Sequence, residues 1–167
     1  MPPPNQRGRH FRSKRPWVFS VPIKLSIIDR LVAGPSPASD VSSISAAVIR
    51  DLLSLLNTWE ILPPFGGKQS ADVESSVLNY GVPNVAGKTV SPSSLSQYET
   101  DITTAIRRFE QRINPETLVV TTSEPNLGGS NAVFSLDIEG DFVGLETPRR
   151  LVFRSQVSSA TGRVELV

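Results

Sequence analysis

The sequence predicts an α+β domain: N-terminal helices and one long central helix packed on a small, mostly antiparallel C-terminal sheet. Three stretches carry this reading. Residues 91–115 place apolar side chains at helical spacing, residues 40–57 do so over a broader stripe, and the last 50 residues alternate apolar with polar ones. A repeat near 3.6 marks one face of a helix, and a repeat of 2 marks a strand buried on one side.

The central helix organises the rest. Ser91 suits the N-cap and Pro92 the first helical position, where a missing N–H leaves nothing unsatisfied. Leu95, Tyr98, Ile102, Ala105 or Ile106, Phe109 and Ile113 then draw one continuous apolar stripe. Arg107, Arg108 and Arg112 gather where carbonyl dipoles favour cations. Asn114 is expected to take a left-handed stop, and Pro115 prevents continuation.

The chain before it reads in pieces. Residues 1–16 are proline-rich, hold five basic residues and no acid, and are expected to form a disordered basic tail. A single domain is expected over residues 17–167. Trp17 and Phe19 are expected to anchor the chain, and a short helix is expected near residues 24–33, ended by Gly34-Pro35. In the helix over residues 40–57, Ile44, Val48, Leu52 and Leu55 form one buried row, and Ile49, Leu53 and Leu56 form the next. Pro63-Pro64 and Gly66-Gly67 make residues 58–73 a loop. Residues 75–79 suit one helical turn, and Gly81 suits its stop.

After Pro115 the chain turns to strands. Residues 117–123 are short and β-branched. Ala132, Phe134, Leu136 and Ile138 alternate with Val133, Ser135, Asp137 and Glu139, and a similar alternation runs from Leu151 to Val157. A tight turn over residues 158–162 leads to a last strand over Arg163–Val167. A strand at the end of a sheet leaves main-chain groups open to a partner strand.

Composition excludes several chemistries. No cysteine is present, so disulfides and thiolate chemistry are excluded. The single histidine, His10, lies in the basic tail, which leaves no Ser-His-Asp triad and no histidine zinc site for the folded body. Residues 17–167 carry 12 basic and 16 acidic side chains, a mildly acidic body that does not suit a nucleic-acid partner. No apolar run approaches the roughly 18 residues of a membrane span. The N-terminus lacks the apolar core of a secretory signal. A cytoplasmic location with no direct membrane insertion is expected. No catalytic residue, metal site or cofactor is expected.

Read in order, RDLLSLLNT (Arg50–Thr58), SVLNYGVPNV (Ser76–Val85), AIRRFEQRI (Ala105–Ile113) and LVFRSQVSSATGRVELV (Leu151–Val167) resemble the TssE family. Those proteins are small baseplate subunits of the type VI secretion system. They are similar to a contractile-phage baseplate wedge protein that carries an old lysozyme label. The resemblance implies a non-catalytic structural role in a bacterial baseplate docked at the inner face of the cell envelope. It implies contact with the wedge subunits TssF and TssG, and with TssK. It also implies templating of the TssB and TssC sheath by strand addition, where main-chain hydrogen bonds hold the partner.

The family motif at the end of the long helix is Glu-Pro-Arg; here it is Glu110-Gln111-Arg112. Glutamine in place of proline is expected to let the helix run on to Asn114, and it puts the local bend that the resemblance implies in doubt. On a helix, Glu110 and Arg112 point to different sides and pair poorly. The residues expected to meet partner proteins are Glu110, Arg112, Arg107 and Arg108 at the helix end, and Arg163, Val164, Glu165 and Leu166 on the terminal strand. The plain alternative for the first group is solvated helix-end charge, with Glu110 facing Arg107 or Asn114.

An enzyme reading stands beside this one. A glycosidase needs two carboxylates facing each other across a cleft, about 5–5.5 Å or 6.5–9.5 Å apart. The candidates are Glu99, Asp101, Glu110, Asp137, Glu139, Asp141 and Glu146. Glu99 reads as a solvated helix charge, and Asp137 with Glu139 as the wet face of a strand. The alternatives kept are a peptidoglycan hydrolase and a regulatory adaptor on the same fold.

Overall fold

The computed structural model describes residues 31, 41–60, 72, 76–123, 132–145 and 148–167. Helix α1 spans Val41–Leu56. A single 3-10 turn at Val77–Asn79 precedes helix α2, Pro92–Phe109. Four strands follow: β1 Val119–Thr122, β2 Val133–Asp141, β3 Arg150–Ser158 and β4 Val164–Leu166. They form one antiparallel sheet in chain order, with β1 and β4 at its borders. This is the α+β arrangement expected, with the helices N-terminal to the sheet. The tail over residues 1–16, the short helix near residues 24–33, the anchors Trp17 and Phe19, and most of the loop over residues 58–73 lie outside the described residues.

Alternation builds a two-layer core. Phe134, Leu136 and Ile138 of β2, Leu151, Phe153 and Val157 of β3, and Val164 of β4 are each at most 3 % exposed, so one face of the sheet is sealed. Ile44, Val48, Leu52 and Leu55 of α1, and Leu95, Tyr98, Ile102, Ala105 and Ile106 of α2, close onto that face. Tyr98 meets Phe134 edge to face, with ring centroids 6.0 Å apart. The opposite face carries Asp137, Glu139, Arg150 and Arg154 among the half-exposed Val119, Val133 and Val152. Ser155 alone breaks the inner apolar pattern of β3, and its hydroxyl donates to Leu136 O at 2.9 Å.

The start of α2 follows the sequence closely. Ser91 caps it, Pro92 follows, and Ser94 completes a reciprocal capping box. Its end does not. The helix stops at Phe109, and Glu110 leaves it with φ −116° and ψ 84°. Ile113 is buried, but through an antiparallel bridge to Phe142 rather than as the next helical turn. Arg112 O accepts from Val143 N, and Asn114 N donates to Asp141 O. Pairing with the end of β2 therefore overrides helix propensity here. Asn114 is not left-handed, since every positive φ among the described residues belongs to glycine. It turns the chain instead by accepting Glu116 N on its side chain.

Gly81 also has a geometric reason. Its φ is +136°, and a Cβ there would lie 2.5 Å from Thr58 O. That close approach lets Trp59 bridge to Val82 in parallel, which ties the end of α1 to the segment before α2.

Candidate functional site

The residues expected to meet partners fall into two groups. The first lies at the end of α2. Glu110 is 6 % exposed and acts as the C-cap, not as a solvated charge. Its carboxylate accepts Arg112 N at 3.0 Å and Arg112 Nε at 2.7 Å, and it also pairs with Arg112 Nη2. The expectation that these two residues pair poorly is corrected, because the helix has already ended between them. In a continued helix Arg112 N–H would seek Arg108 O; here the Glu110 carboxylate takes it. The helix thus ends before Gln111, against the expectation that it runs on to Asn114.

Arg112 also reaches α1, where Nη2 lies 2.6 Å from Asp51 Oδ2. One guanidinium so joins two carboxylates and two helices. The hydrogen bonds to Glu110 raise the Arg112 pKa above its usual range, against the opposing effect of burial, with Asp51 adding to the rise. Arg107 folds back to donate to Pro115 O at 3.2 Å. Arg108 lines a separate small cleft of about 180 Å³ with Glu60, Asn79, Asp101 and Thr104. Arg107 and Arg108 are therefore not drawn into the Glu110–Arg112 pair.

The second group is β4. Val164 is buried, whereas Arg163, Glu165 and Leu166 are exposed. Arg163 Nε lies 3.3 Å from Glu165 Oε1 on a well-solvated surface, where such a pair contributes little. The strand borders the sheet as expected. Its outer side is partly occupied, however, and by a residue the sequence reading did not single out. Asn57 Oδ1 accepts Val164 N, and Asn57 Nδ2 donates to Val164 O, both at 3.0 Å. The signal was present in the run Leu55-Leu56-Asn57-Thr58. Asparagine after an apolar helix reads locally as a stop, and nothing local names a partner 107 residues away.

The other border of the sheet is treated in a related way. Thr122 N and Oγ1 both donate to Glu99 Oε1, at 2.6 and 2.8 Å. Glu99 is therefore a cap on β1 rather than a solvated helix charge. Both borders are blunted by polar side chains from the helix layer, a known guard against unwanted strand pairing.

Helix α1 joins the two groups. Asp51 holds Arg112, and Asn57 holds Val164; six residues of helical rise put them about 9 Å apart along the axis. Beside Asn57 and β4 runs a groove of about 750 Å³ that includes Leu53, Trp59 and Leu166. A smaller apolar pocket of about 150 Å³ opens over Tyr98, Val85 and Val90, and burial pushes the Tyr98 pKa up to about 12, with Asp101 adding to the rise. Among the described residues no cluster of three or more His, Asp or Glu is placed to hold a metal ion. No helix among them is long and apolar enough to cross a membrane.

No curated protein and no solved structure matches the chain. A family model described as baseplate wedge protein gp25 does match, over residues 42–144, from the start of α1 to just beyond β2. That span covers more than half of the sequence, and the chain belongs to the baseplate wedge protein gp25 family.

Proposed function

We propose that this chain is the TssE-type subunit of a type VI secretion baseplate wedge, a non-catalytic building block in the cytoplasm. In this reading it contacts TssF and TssG, and TssK beside them, and it templates the TssB and TssC sheath through the border of β4. Family membership supports a structural role in a contractile, phage-tail-like baseplate, among other baseplate subunits. The observation that carries the finer reading is the position of β4. It is the last strand of the sheet, and Leu166 directs its N–H and C=O away from β3.

Glu110 and Arg112 serve this role indirectly. Their side chains are spent on each other and on Asp51, so they shape the surface around exposed Gln111 rather than reach a partner. Arg107, Arg108, Arg163 and Glu165 supply charge at the rim of the two surfaces, where it sets register and encounter rate more than affinity.

The test is Leu166→Pro. Proline there removes an outward N–H and no bond to β3. Expressed in place of the parent, the variant should stay folded, still co-purify with wedge subunits, and fail to support sheath assembly. Normal sheaths on that variant would reject strand addition at β4. Loss of wedge subunits from the parent's own co-purification would favour a regulatory adaptor instead.

A further inference from the structure

Asn57 lies in one of the runs that carry the family resemblance, yet the proposed function gives it no part. Its geometry does. In an antiparallel ladder, main-chain groups alternate between the neighbouring strand and the opposite side. Ser158 N donates to Arg163 O, and Val167 N donates to Arg154 O, so residues 163, 165 and 167 face β3. Val164 and Leu166 therefore face outward. At Val164 both outward groups are taken, the N–H by Asn57 Oδ1 and the C=O by Asn57 Nδ2. A primary amide offers the same donor and acceptor as a peptide group. Asn57 thus stands where one residue of a fifth strand would stand.

We infer that the Asn57 carboxamide is a strand surrogate: it closes the β4 border at Val164 in the unassembled chain, and it yields to the main chain of an incoming extended segment. This rests on the reading that β4 accepts a partner strand. The occupant is a peptide because the border asks for an N–H and a C=O from one neighbour, and Asn57 provides both. The β1 border differs. There Glu99 can only accept, and it takes the Thr122 N–H and hydroxyl without serving any carbonyl.

Exchange at β4 is balanced. Two hydrogen bonds to Asn57 are replaced by two to the incoming main chain. The second outward position, Leu166, then gains bonds that Asn57 does not reach. Trp59 and Leu166, each 50 % exposed, flank the groove and offer apolar contact to alternate side chains of the incomer. Asn57 can move because it sits at the exposed end of α1, with only Leu53 O as a further side-chain partner. The border is therefore protected from casual pairing and still usable.

The experiment compares parent, Asn57→Ala and Asn57→Asp in two measurements. The first is amide hydrogen exchange at Val164. Alanine should speed it about tenfold or more relative to the parent, and aspartate should leave it slow because it keeps the acceptor. Glu165, bonded to β3, should not change. The second is binding of an acetylated, amidated heptapeptide, Lys-Val-Thr-Val-Thr-Val-Lys. Its affinity should rise roughly tenfold in Asn57→Ala, in line with loss of a competing pair of hydrogen bonds. Unchanged Val164 exchange in the alanine variant overturns the surrogate and leaves strand addition standing. Fast Val164 exchange with no peptide binding to any variant overturns strand addition itself. Concentration-dependent dimerisation of Asn57→Ala without peptide binding would assign the border to a second copy of this chain, and so overturn the proposal. Should alanine unfold the domain, Asn57→Ser replaces it with the same expectations.

Discussion

Arg112 shows how much a single side chain can decide. It serves two carboxylates, Glu110 at 6 % exposure and Asp51 on the neighbouring helix. Removing it leaves the Glu110 carboxylate buried without its counter-charge, and such losses cost several times more than the pair itself contributes. Arg112→Ala should lower unfolding free energy by about 3 kcal/mol, read from chemical denaturation. Arg112→Lys should recover little of it, because one ammonium cannot bond Glu110 through two nitrogens while reaching Asp51. Recovery close to the parent by lysine would show that charge, not the forked geometry, holds this corner. The pair was hidden in the sequence for a clear reason. A spacing of two separates side chains on a helix, and only the end of the helix brings them together.

Among the elements, the borders of the sheet are where sequence and fold diverge most. The helices and strands were legible, because burial follows period: α1 and β2 appear within a residue or two of the expected limits. The start of α2 was legible too, since Ser91 and Pro92 act locally. Its end was not, since the bridge from Ile113 to Phe142 is a tertiary event that no window of residues contains. The roles of Glu99 and Asn57 were likewise out of reach, because each bonds to main chain remote in sequence. The border of β4 is also where proline separates two functions of one strand. Glu165 directs its N–H to β3, whereas Leu166 directs its own outward. Glu165→Pro should therefore destabilise the domain by at least about 1 kcal/mol through a lost ladder bond. Leu166→Pro should stay within about 0.5 kcal/mol of the parent. Equal losses in thermal or urea unfolding would mean that the register of β3 and β4 is not the one described.

At the scale of the whole molecule, what matters is where the carboxylates end up, because they separate a structural subunit from the hydrolase alternative. Glycoside hydrolysis needs one carboxyl group to give a proton and a second to attack or to activate water, both directed into a groove that holds the sugar. Several of the described acids are engaged elsewhere, and the two that share a cleft, Glu60 and Asp101, do so beside Arg108, with Asp101 accepting Gln97 Nε2 at 2.9 Å. Glu110 is enclosed with Arg112, Glu99 caps β1, and Asp51 is bound by Arg112. Glu139 pairs with Arg150 on the open face of the sheet, and Asp137 stands opposite Arg154 on the same face. Among the described residues, the acid lining the groove beside β4 is Glu165, which is paired with Arg163. A single acid cannot perform both steps. Purified, folded protein should therefore release no soluble fragments from purified peptidoglycan at any pH from mildly acidic to neutral. Release that disappears in Glu165→Gln and persists in Glu110→Gln would instead make the β4 groove catalytic and remove the case for a purely structural subunit.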